Sequence, residues 1–189
     1  MTLTPKKTGW IEVICGPMFS GKTEELIRRL VRAQIAKQRV AIFKPNTDNR
    51  FSGDYIVSHN QRKIKSIQVK ETNRILDYQD KADVFGIDEA QFFDTSIVQI
   101  CRSLANSGKR VVVAGLEKDY LAQSFGFMPD LLVDAEYITK VNAICMQCGD
   151  TANYSHRISS EKKQVVVGET DKYEALCRRC YVKMMGEDK

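Results

Sequence analysis

The sequence lacks a long apolar run. None of its 189 residues lies in a stretch approaching the ~18–20 consecutive apolar residues that span a bilayer, and the most apolar segment, residues 111–116, is far too short. The first seven residues also lack the apolar segment and the small-residue cleavage site of a secretory leader. We therefore expect neither a membrane protein nor an exported one.

Histidine is scarce, and internal repeats and low-complexity runs are missing. Only His59 and His156 are present, so chemistry that depends on histidine has few candidates. The hydrophobic fraction of 43% is sufficient for a core and argues against disorder. The net charge of +5, from 29 basic and 24 acidic residues, suits a protein that handles phosphates. It falls short of a nucleic-acid-binding footprint, so we expect no nucleic-acid partner.

The first two-thirds of the chain alternates apolar strand-like runs with helical periodicity. Continuous valine and isoleucine runs between helices are typical of a parallel sheet covered on both faces, so we predict an α/β fold. The first helix should bury one apolar stripe, made of Leu26, Ile27, Leu30, Val31 and Ile35. We predict core strands at residues 10–15, 39–43 (stopped by Lys44 and Pro45), 82–88 and 109–114, helices at about 21–37 and 94–106, and a peripheral excursion at 51–69.

The pattern changes after about residue 141, where short strands and cysteine pairs replace the alternation. We therefore predict a first domain over residues 1–141 and a second, smaller one over residues 142–189.

A glycine-rich loop follows the first predicted strand, opens a helix and matches the pattern G-x-x-x-x-G-K-[ST] at every specified position. Glycines let backbone N–H groups approach phosphate oxygens, and the helix N-terminus adds about half a positive charge at the same place. The lysine of this pattern reaches the β- and γ-phosphates, and the final hydroxyl is a ligand of Mg²⁺. The alternative is an ordinary turn. The predicted phosphate-binding residues are Gly16, Pro17, Met18, Phe19, Ser20, Gly21, Lys22 and Thr23.

Two carboxylates, Asp88 and Glu89, stand where the third core strand leaves the sheet. In phosphate-loop enzymes an aspartate at such a strand end holds Mg²⁺. The neighbouring glutamate can act as the base for a hydroxyl nucleophile, a role that typically contributes ~10²–10⁴-fold. A helix-capping pair without a catalytic role is the alternative. His59 is the rival base, although no partner for it is evident nearby in the sequence, which favours a structural histidine.

Four of the six cysteines form two C-x-x-C pairs, Cys145 with Cys148 and Cys177 with Cys180. Two such pairs suit a tetrahedral Zn²⁺, and four protein ligands leave no open position, so the predicted zinc is structural. The intervening residues 149–176 exceed the ~15–20 usual for a zinc ribbon. We therefore predict that the metal anchors the base of a loop that can close over a ligand. A redox pair or unpaired cysteines are the alternatives. Cys15 and Cys101 are predicted to belong to the core.

Taken together, these motifs resemble the cytosolic-type (type II) thymidine kinases. Order and spacing match from about residue 10 to residue 182. The strings that carry the resemblance are Gly16–Lys22 with Thr23, Lys44-Pro45-x-x-Asp48-x-Arg50, Asp88-Glu89-Ala90-Gln91-Phe92, Gly115-Leu116, and the two cysteine pairs with Tyr173 between them.

The resemblance implies a P-loop-type sheet with a C-terminal zinc-binding lasso. It implies phosphorylation of the 5′-hydroxyl of thymidine by ATP with Mg²⁺, giving dTMP for DNA precursor salvage, in a cytoplasmic homotetramer that dTTP inhibits. Glu89 is implied as the proton acceptor. The implied nucleotide-binding residues beyond the glycine-rich loop are Asp48, Asn49, Arg50, Asp88 and Gln91. The implied nucleoside-binding residues are Met18, Phe125, Gln164, Val165, Val166, Val167, Gly168 and Tyr173, with a core aromatic as the alternative for Tyr173.

Three departures from the family pattern lie on the nucleoside side. Glu117 and Tyr120 stand where the family commonly has Asp and Phe, Phe125 lacks the proline that often precedes it, and residues 155–158 replace a usual Thr-x-Arg-Leu with Ser-His-Arg-Ile. Three other interpretations stay open. A nucleic-acid-stimulated ATPase would need a second lobe of similar size, a zinc-ribbon binding module leaves the phosphate loop unexplained, and a related kinase would accept deoxyuridine or deoxycytidine.

Overall fold

The computed structural model describes residues 8–46, 55–57, 63–158 and 172–187. The strands are β1 (Trp10–Cys15), β2 (Val40–Pro45), β3 (Tyr55–Val57), β4 (Lys63–Lys65), β5 (Ile67–Val69), β6 (Val84–Ile87), β7 (Arg110–Gly115), β8 (Tyr137–Lys140), β9 (Ala143–Ile144), β10 (Thr151–Ala152), β11 (Tyr154–Arg157) and β12 (Tyr173–Leu176). The helices are α1 (Lys22–Ile35), α2 (Ser96–Asn106), α3 (Met128–Asp134) and α4 (Arg178–Glu187), with 3-10 turns at Thr72–Tyr78 and Ala90–Phe92.

The central sheet has six strands in the order β5-β2-β6-β7-β1-β8, and every neighbouring pair runs parallel. The predicted α/β fold with a parallel sheet is therefore confirmed. Because all the strands point the same way, the loops that follow β1, β6 and β7 meet at one edge of the sheet. In open parallel sheets this carboxyl edge is where ligands bind.

Apolar clusters cover both faces of the sheet, because successive side chains of a strand point to opposite faces. On one face Val111 and Val113 of β7 pack in the cluster that includes α2; on the other, Val112 packs in the cluster that includes α1. Gly86 of β6 lets α1 approach closely, since a Cβ there would lie 2.5 Å from Leu30 Cδ1. Helix α1, which begins directly after the glycine-rich loop, is thus held closely against the sheet at Leu30.

The predicted stripe of α1 is partly wrong. Val31 is 37% exposed and Ile35 76% exposed, whereas Leu26, Ile27, Leu30 and Ala33 are buried. A helix resting on a sheet buries a narrow stripe, and the pair at 31 and 35 lies on its outer flank. The helix also ends at Ile35 instead of about residue 37, with Lys37 in the left-handed region at φ 59°.

Two other sequence predictions in this region are wrong. Lys44 and Pro45 belong to β2 instead of stopping it, and Pro45, the last residue of the strand, stands in register with Val69 of β5. Residues 67–69 form the edge strand of the central sheet instead of a peripheral excursion. The 3-10 turn at Thr72–Tyr78 and helix α3 were not predicted, because a single turn or two carries too little periodicity.

The described part of the C-terminal region has a small core of its own. Strands β9 to β12 pair as two short antiparallel hairpins, and α4 packs against β11 and β12. The cluster they enclose consists of Ala143, Cys145, Ala152, Tyr154, Ala175, Leu176, Cys177 and Tyr181. The domain boundary at residue 142 stays a prediction. Within the described ranges, no helix has both the length and the apolar character required to cross a membrane.

Candidate functional site

The glycine-rich loop joins β1 to α1 at the carboxyl edge of the sheet. Gly16 has no room for a side chain, because a Cβ would lie 2.1 Å from the carbonyl oxygen of Val141. Gly21, immediately before α1, has φ 83°, in the left-handed region that glycine adopts without strain. The Lys22 Nζ and the Ser20 Oγ each donate a hydrogen bond to the Pro17 carbonyl oxygen at 2.7 Å. The loop is therefore tightly turned, with the lysine ammonium at its centre.

The Lys22 ammonium interacts electrostatically with three carboxylates. Burial lowers the pKa of Lys22, and the negative charges of Glu89, Asp88 and Glu117 oppose that shift by raising it. These carboxylates come from the loops after β6 and β7, which the sheet brings to the same edge. The sheet therefore sets one ammonium among three carboxylates at its carboxyl edge.

Thr23 and Asp88 lie side by side. The Thr23 Oγ1 donates to the Asp88 carboxylate at 3.3 Å from Oδ2 and 3.5 Å from Oδ1, and Asp88 itself is buried. The Asp88 Oδ1 also accepts the backbone N–H of Glu89 at 3.0 Å. A hydroxyl and a carboxylate are the hard oxygen ligands that Mg²⁺ prefers, so these two residues fit a magnesium site.

Glu89 follows in a constrained conformation. Its backbone is left-handed at φ 52° and ψ 44°, which is uncommon for a residue with a side chain. The Glu89 Oε2 accepts a hydrogen bond from Gln91 Nε2 at 2.5 Å, and the Gln91 Oε1 accepts one from the Leu116 backbone N–H at 2.9 Å. The structure therefore brings Lys22, Thr23, Asp88 and Glu89 to one edge, from the loops that follow β1 and β6, the two strands on either side of β7. It places the Gln91 amide between two protein groups.

The predicted nucleoside-side residues are only partly described. The Met18 N–H donates to the Ser155 hydroxyl at 2.9 Å, which ties the glycine-rich loop to β11. Phe125 is buried with its ring edge-on to Phe92 at 5.5 Å between centroids. Some of the residues that the sequence analysis singled out lie outside the described ranges: Asp48, Asn49, Arg50, His59, Gln164, Val165, Val166, Val167 and Gly168.

Tyr173 is buried in β12, where its hydroxyl accepts a hydrogen bond from Arg157 Nη2 at 2.9 Å. The same guanidinium lies 3.6 Å from the centre of the Tyr120 ring. Sequence reasoning missed these contacts of Arg157, because only the register between β11 and β12 places Arg157 opposite Tyr173. The aromatic residues are thus organised around a buried cation.

The four paired cysteines converge. Their sulfur atoms all lie within 4.8 Å of one another, and Cys148 Sγ is 3.6 Å from Cys177 Sγ. A tetrahedral zinc with bonds of about 2.3 Å requires sulfurs roughly 3.8 Å apart, so the cluster fits a metal ion. Burial opposes ionisation of Cys145, but backbone N–H groups of Cys177, Gln147 and Cys148 lower its pKa to about 6. This favours the thiolate form that a metal binds.

The other two cysteines behave as predicted. Cys15 and Cys101 are buried, and burial raises the pKa of the Cys101 thiol to about 12. They are core residues.

The cysteine region is joined to the loop after β7. The Tyr181 hydroxyl on α4 donates to the Tyr120 carbonyl oxygen at 2.8 Å, and the Lys118 Nζ donates to the Asn153 carbonyl oxygen at 2.9 Å. The Tyr181 ring also stacks on Tyr154 at 4.5 Å. A structural change at the cysteines therefore has a direct route to the loop that carries Tyr120 and Phe125.

Comparison with known proteins gives a consistent match. The sequence profile of a family described as thymidine kinase matches residues 9–181. Curated thymidine kinases from Rhodothermus sp. (strain ITI 518) and Bacteroides thetaiotaomicron are 56% and 52% identical to the chain, over 92% and 97% of its length and 81% and 92% of theirs. A thymidine kinase from Bacteroides fragilis (strain YCH46) is 50% identical over 97% of the chain and 92% of its own length.

Proposed function

The chain belongs to the thymidine kinase family, and we propose that it transfers the γ-phosphoryl group of ATP to the 5′-hydroxyl of thymidine, giving dTMP and ADP. The observation that carries this proposal is the convergence of Lys22, Thr23, Asp88 and Glu89 at the carboxyl edge of the sheet. A phosphate-binding loop, a pair of magnesium ligands and a candidate base are the parts that phosphoryl transfer to an alcohol requires.

The glycine-rich loop, Gly16 to Thr23, binds the triphosphate of ATP in this proposal. The Lys22 ammonium donates to a neutral carbonyl of Pro17 at 2.7 Å. A phosphate oxygen is a charged and therefore stronger acceptor for the same ammonium. The backbone N–H groups at the start of α1 add donors aimed at the phosphates. Asp48, Asn49 and Arg50 flank the nucleotide by analogy with the family.

Thr23 and Asp88 would hold Mg²⁺, which would supply neutralisation of the negative charge on the phosphate oxygens. Asp88 is kept in place by the Glu89 N–H, and its burial excludes water from competing for its oxygens. The chain thus provides a fixed pair of oxygen ligands at the end of β6 and the start of α1.

Glu89 accepts the proton of the 5′-hydroxyl. As that oxygen forms its bond to the γ-phosphorus, the bond from the γ-phosphorus to the bridging oxygen breaks and the electron pair leaves with ADP. The proton moves from the hydroxyl to the Glu89 carboxylate, so the entering oxygen does not carry a positive charge. The Lys22 ammonium interacts electrostatically with Glu89 and Asp88, and its positive charge stabilises the transferring phosphoryl group.

Thymidine binds between the glycine-rich loop and the β11/β12 hairpin. Met18, Phe125 and Tyr173 contribute side chains to this pocket, and the backbone of Gln164 to Gly168 reads the pyrimidine edge. The hydrogen bond from the Met18 N–H to Ser155 supports this placement of the pocket, because it joins the loop that would hold the phosphates to β11. Backbone groups that would be left unpaired by a wrong base give selectivity.

The four cysteines hold a structural Zn²⁺ that anchors residues 142–189 as a lid domain over residues 1–141. We further propose a cytoplasmic homotetramer. Its self-association is supported by the exposed apolar side chains at and beside the edge strand β8, where Val133, Tyr137 and Ile138 are 85%, 60% and 54% exposed. Feedback inhibition by dTTP follows if one molecule presents its base to the nucleoside side and its triphosphate to the glycine-rich loop.

A nucleoside panel tests the proposal. The purified chain is incubated with Mg·ATP and, separately, with thymidine, deoxyuridine, deoxycytidine and 5′-deoxythymidine, and nucleotide products are identified by mass. We expect thymidine to be the best substrate and 5′-deoxythymidine to give no product. Lys22→Ala should lower turnover at least ~100-fold, while Lys70→Ala, an exposed lysine, should not. Preference for deoxycytidine, or ATP hydrolysis independent of any nucleoside, would contradict the proposal.

A further inference from the structure

Gln91 occupies a position between two loops of the site. It lies in the 3-10 turn Ala90–Phe92 and is only 4% exposed. Its Nε2 donates to the Glu89 Oε2 at 2.5 Å, and its Oε1 accepts from the Leu116 N–H at 2.9 Å. The side chain therefore bridges the loop after β6 and the loop after β7, and both polar ends of its amide have protein partners.

Two glycines allow the backbone to approach Gln91 closely. A Cβ at Gly115 would lie 2.8 Å from the Gln91 Oε1, and a Cβ at Gly126 would lie 2.3 Å from the Gln91 carbonyl oxygen. Gly126 also has φ 54°, in the left-handed region. Gly115 at the end of β7 and Gly126 in the following segment thus enclose Gln91 from its side-chain end and its backbone end.

The chemistry of the partners fixes the direction of the amide. The Leu116 backbone N–H can only donate, so it requires the Gln91 carbonyl oxygen; the NH₂ group must then face Glu89. A reversed amide would oppose two donors at Leu116 and set a carbonyl oxygen against a carboxylate. Leu116 therefore determines that Glu89 receives a donor.

We propose that Gln91 is a positioning residue: it aims the Glu89 carboxylate at the acceptor hydroxyl and links that aim to the loop that carries Tyr120 and Phe125. This inference rests on the proposed function, because it assumes that Glu89 takes the proton. It assigns Gln91 to the carboxylate instead of to the bound nucleotide. Glu89 itself has a left-handed backbone, and a hydrogen bond to its side chain restrains it where the backbone conformation is least favourable.

The first test separates positioning from substrate binding. Gln91→Leu removes the donor to Glu89, and a misplacement of ~1 Å at a reacting group can cost ~10²-fold. We expect kcat to fall ~10–100-fold while the KM values for ATP and thymidine change less than ~3-fold. Gln99→Leu, the same change at an exposed glutamine of α2, should leave both parameters unaltered. A rise in either KM with kcat preserved would overturn the proposal.

The second test asks whether Gln91 acts through Glu89. In a Glu89→Gln background, adding Gln91→Leu should lower kcat by less than a further ~3-fold, because the group to be aimed is already lost. An additional loss as large as in the wild-type background would show that Gln91 acts elsewhere. Full activity of Glu89→Gln alone would instead remove the base assignment of the proposed function, so the two failures are distinguishable.

A third variant keeps the test valid if Gln91→Leu does not fold, as judged by circular dichroism and thermal melting. Gln91→Glu preserves the size and shape of the side chain but replaces the donor with a second carboxylate that faces Glu89. We expect a loss of kcat at least as large as that expected for Gln91→Leu. Wild-type kcat in this variant would overturn the proposal.

Discussion

The carboxyl edge of the sheet and the cysteine region are built in opposite ways. At the edge, candidate functional side chains stand on loops that follow strands β6 and β7, which are buried except at Arg110. The described part of the cysteine region has strands of only 2 to 4 residues around a small core. Apolar burial therefore stabilises the first, whereas the second combines a small apolar core with four clustered sulfurs and polar contacts.

The interior of the β11/β12 hairpin shows the same contrast. Ser155, His156, Arg157 and Glu174 are all buried there. The His156 Nδ1 lies 3.0 Å from the Glu174 carboxylate, whose second oxygen accepts from Gln147 at 2.8 Å. Buried polar groups that are satisfied in this way specify one arrangement but contribute little net stability. The comparison teaches that the carboxyl edge rests on apolar packing, whereas the cysteine region rests on a small core and on polar contacts that must all be satisfied.

The largest expected effect breaks the chemistry of the edge without breaking its fold. Glu89→Gln removes the proton acceptor but keeps an isosteric side chain, so kcat should fall ~10²–10⁴-fold with little change in melting temperature. Steady-state kinetics and a thermal melt measure the two quantities. Glu71→Gln, an exposed glutamate, is the matched control. Retention of wild-type kcat by Glu89→Gln would remove the base assignment.

The second prediction breaks the apolar packing itself. Leu30 is fully buried between α1 and the sheet, so Leu30→Ala should lower the free energy of unfolding by about 2–5 kcal/mol. Val31→Ala, on the outer flank of the same helix, should cost less than about 1 kcal/mol. Urea denaturation of both variants makes the comparison. Equal costs would show that α1 is not held as its burial indicates.

The third prediction concerns the cysteine region. Removal of the metal by a chelator should raise the KM for thymidine at least ~10-fold. The hydrogen bonds of Tyr181 and Lys118 that join the cysteine region to the loop after β7 should weaken when the cysteines are no longer held together. Hydrogen exchange should accelerate in residues 143–158 and 172–187 and stay slow in β6 and β7. Equal acceleration in both regions would contradict the difference in stability between the cysteine region and the central sheet.

The smallest expected effect is a pH dependence at helix α1. The guanidinium of Arg28, helped by Arg29 and opposed by partial burial, lowers the pKa of Glu25 from 4.5 to about 2. Because the folded-state pKa is depressed, the stabilisation is present above pH 4.5 and is lost as the pH falls towards 2. Solvent screening limits it to under about 1 kcal/mol. Glu25→Gln should therefore flatten the fall in unfolding free energy between pH 5 and 3, measured by urea titration. An unchanged slope would contradict the ion pair.

Much of the edge could be predicted from the sequence, because its signals are local. A strand, a glycine-rich turn and a helix in succession fix where Lys22 and Thr23 lie, and a strand end fixes Asp88 and Glu89. The family resemblance added the acceptor alcohol. What the sequence did not reveal is the role of the Gln91 amide, because its second partner is a backbone N–H of Leu116, 25 residues away.

The errors have a common physical origin. Apolar periodicity placed Val31 and Ile35 in the core, but only packing against the sheet decides which flank of α1 is buried. Arg157 was noted only as part of a departure from the family pattern, since nothing in one sequence indicates that its guanidinium lies between Tyr120 and Tyr173. Such tertiary contacts override local preference.

A crystal structure with thymidine, Mg²⁺ and a non-hydrolysable ATP analogue tests the central claim most directly. The account predicts that the Glu89 carboxylate lies within ~2.6–3.2 Å of the thymidine 5′-oxygen, with the terminal phosphoryl group held by the loop around Lys22. A structure in which Glu89 faces away from that oxygen and another side chain takes its proton would contradict the account.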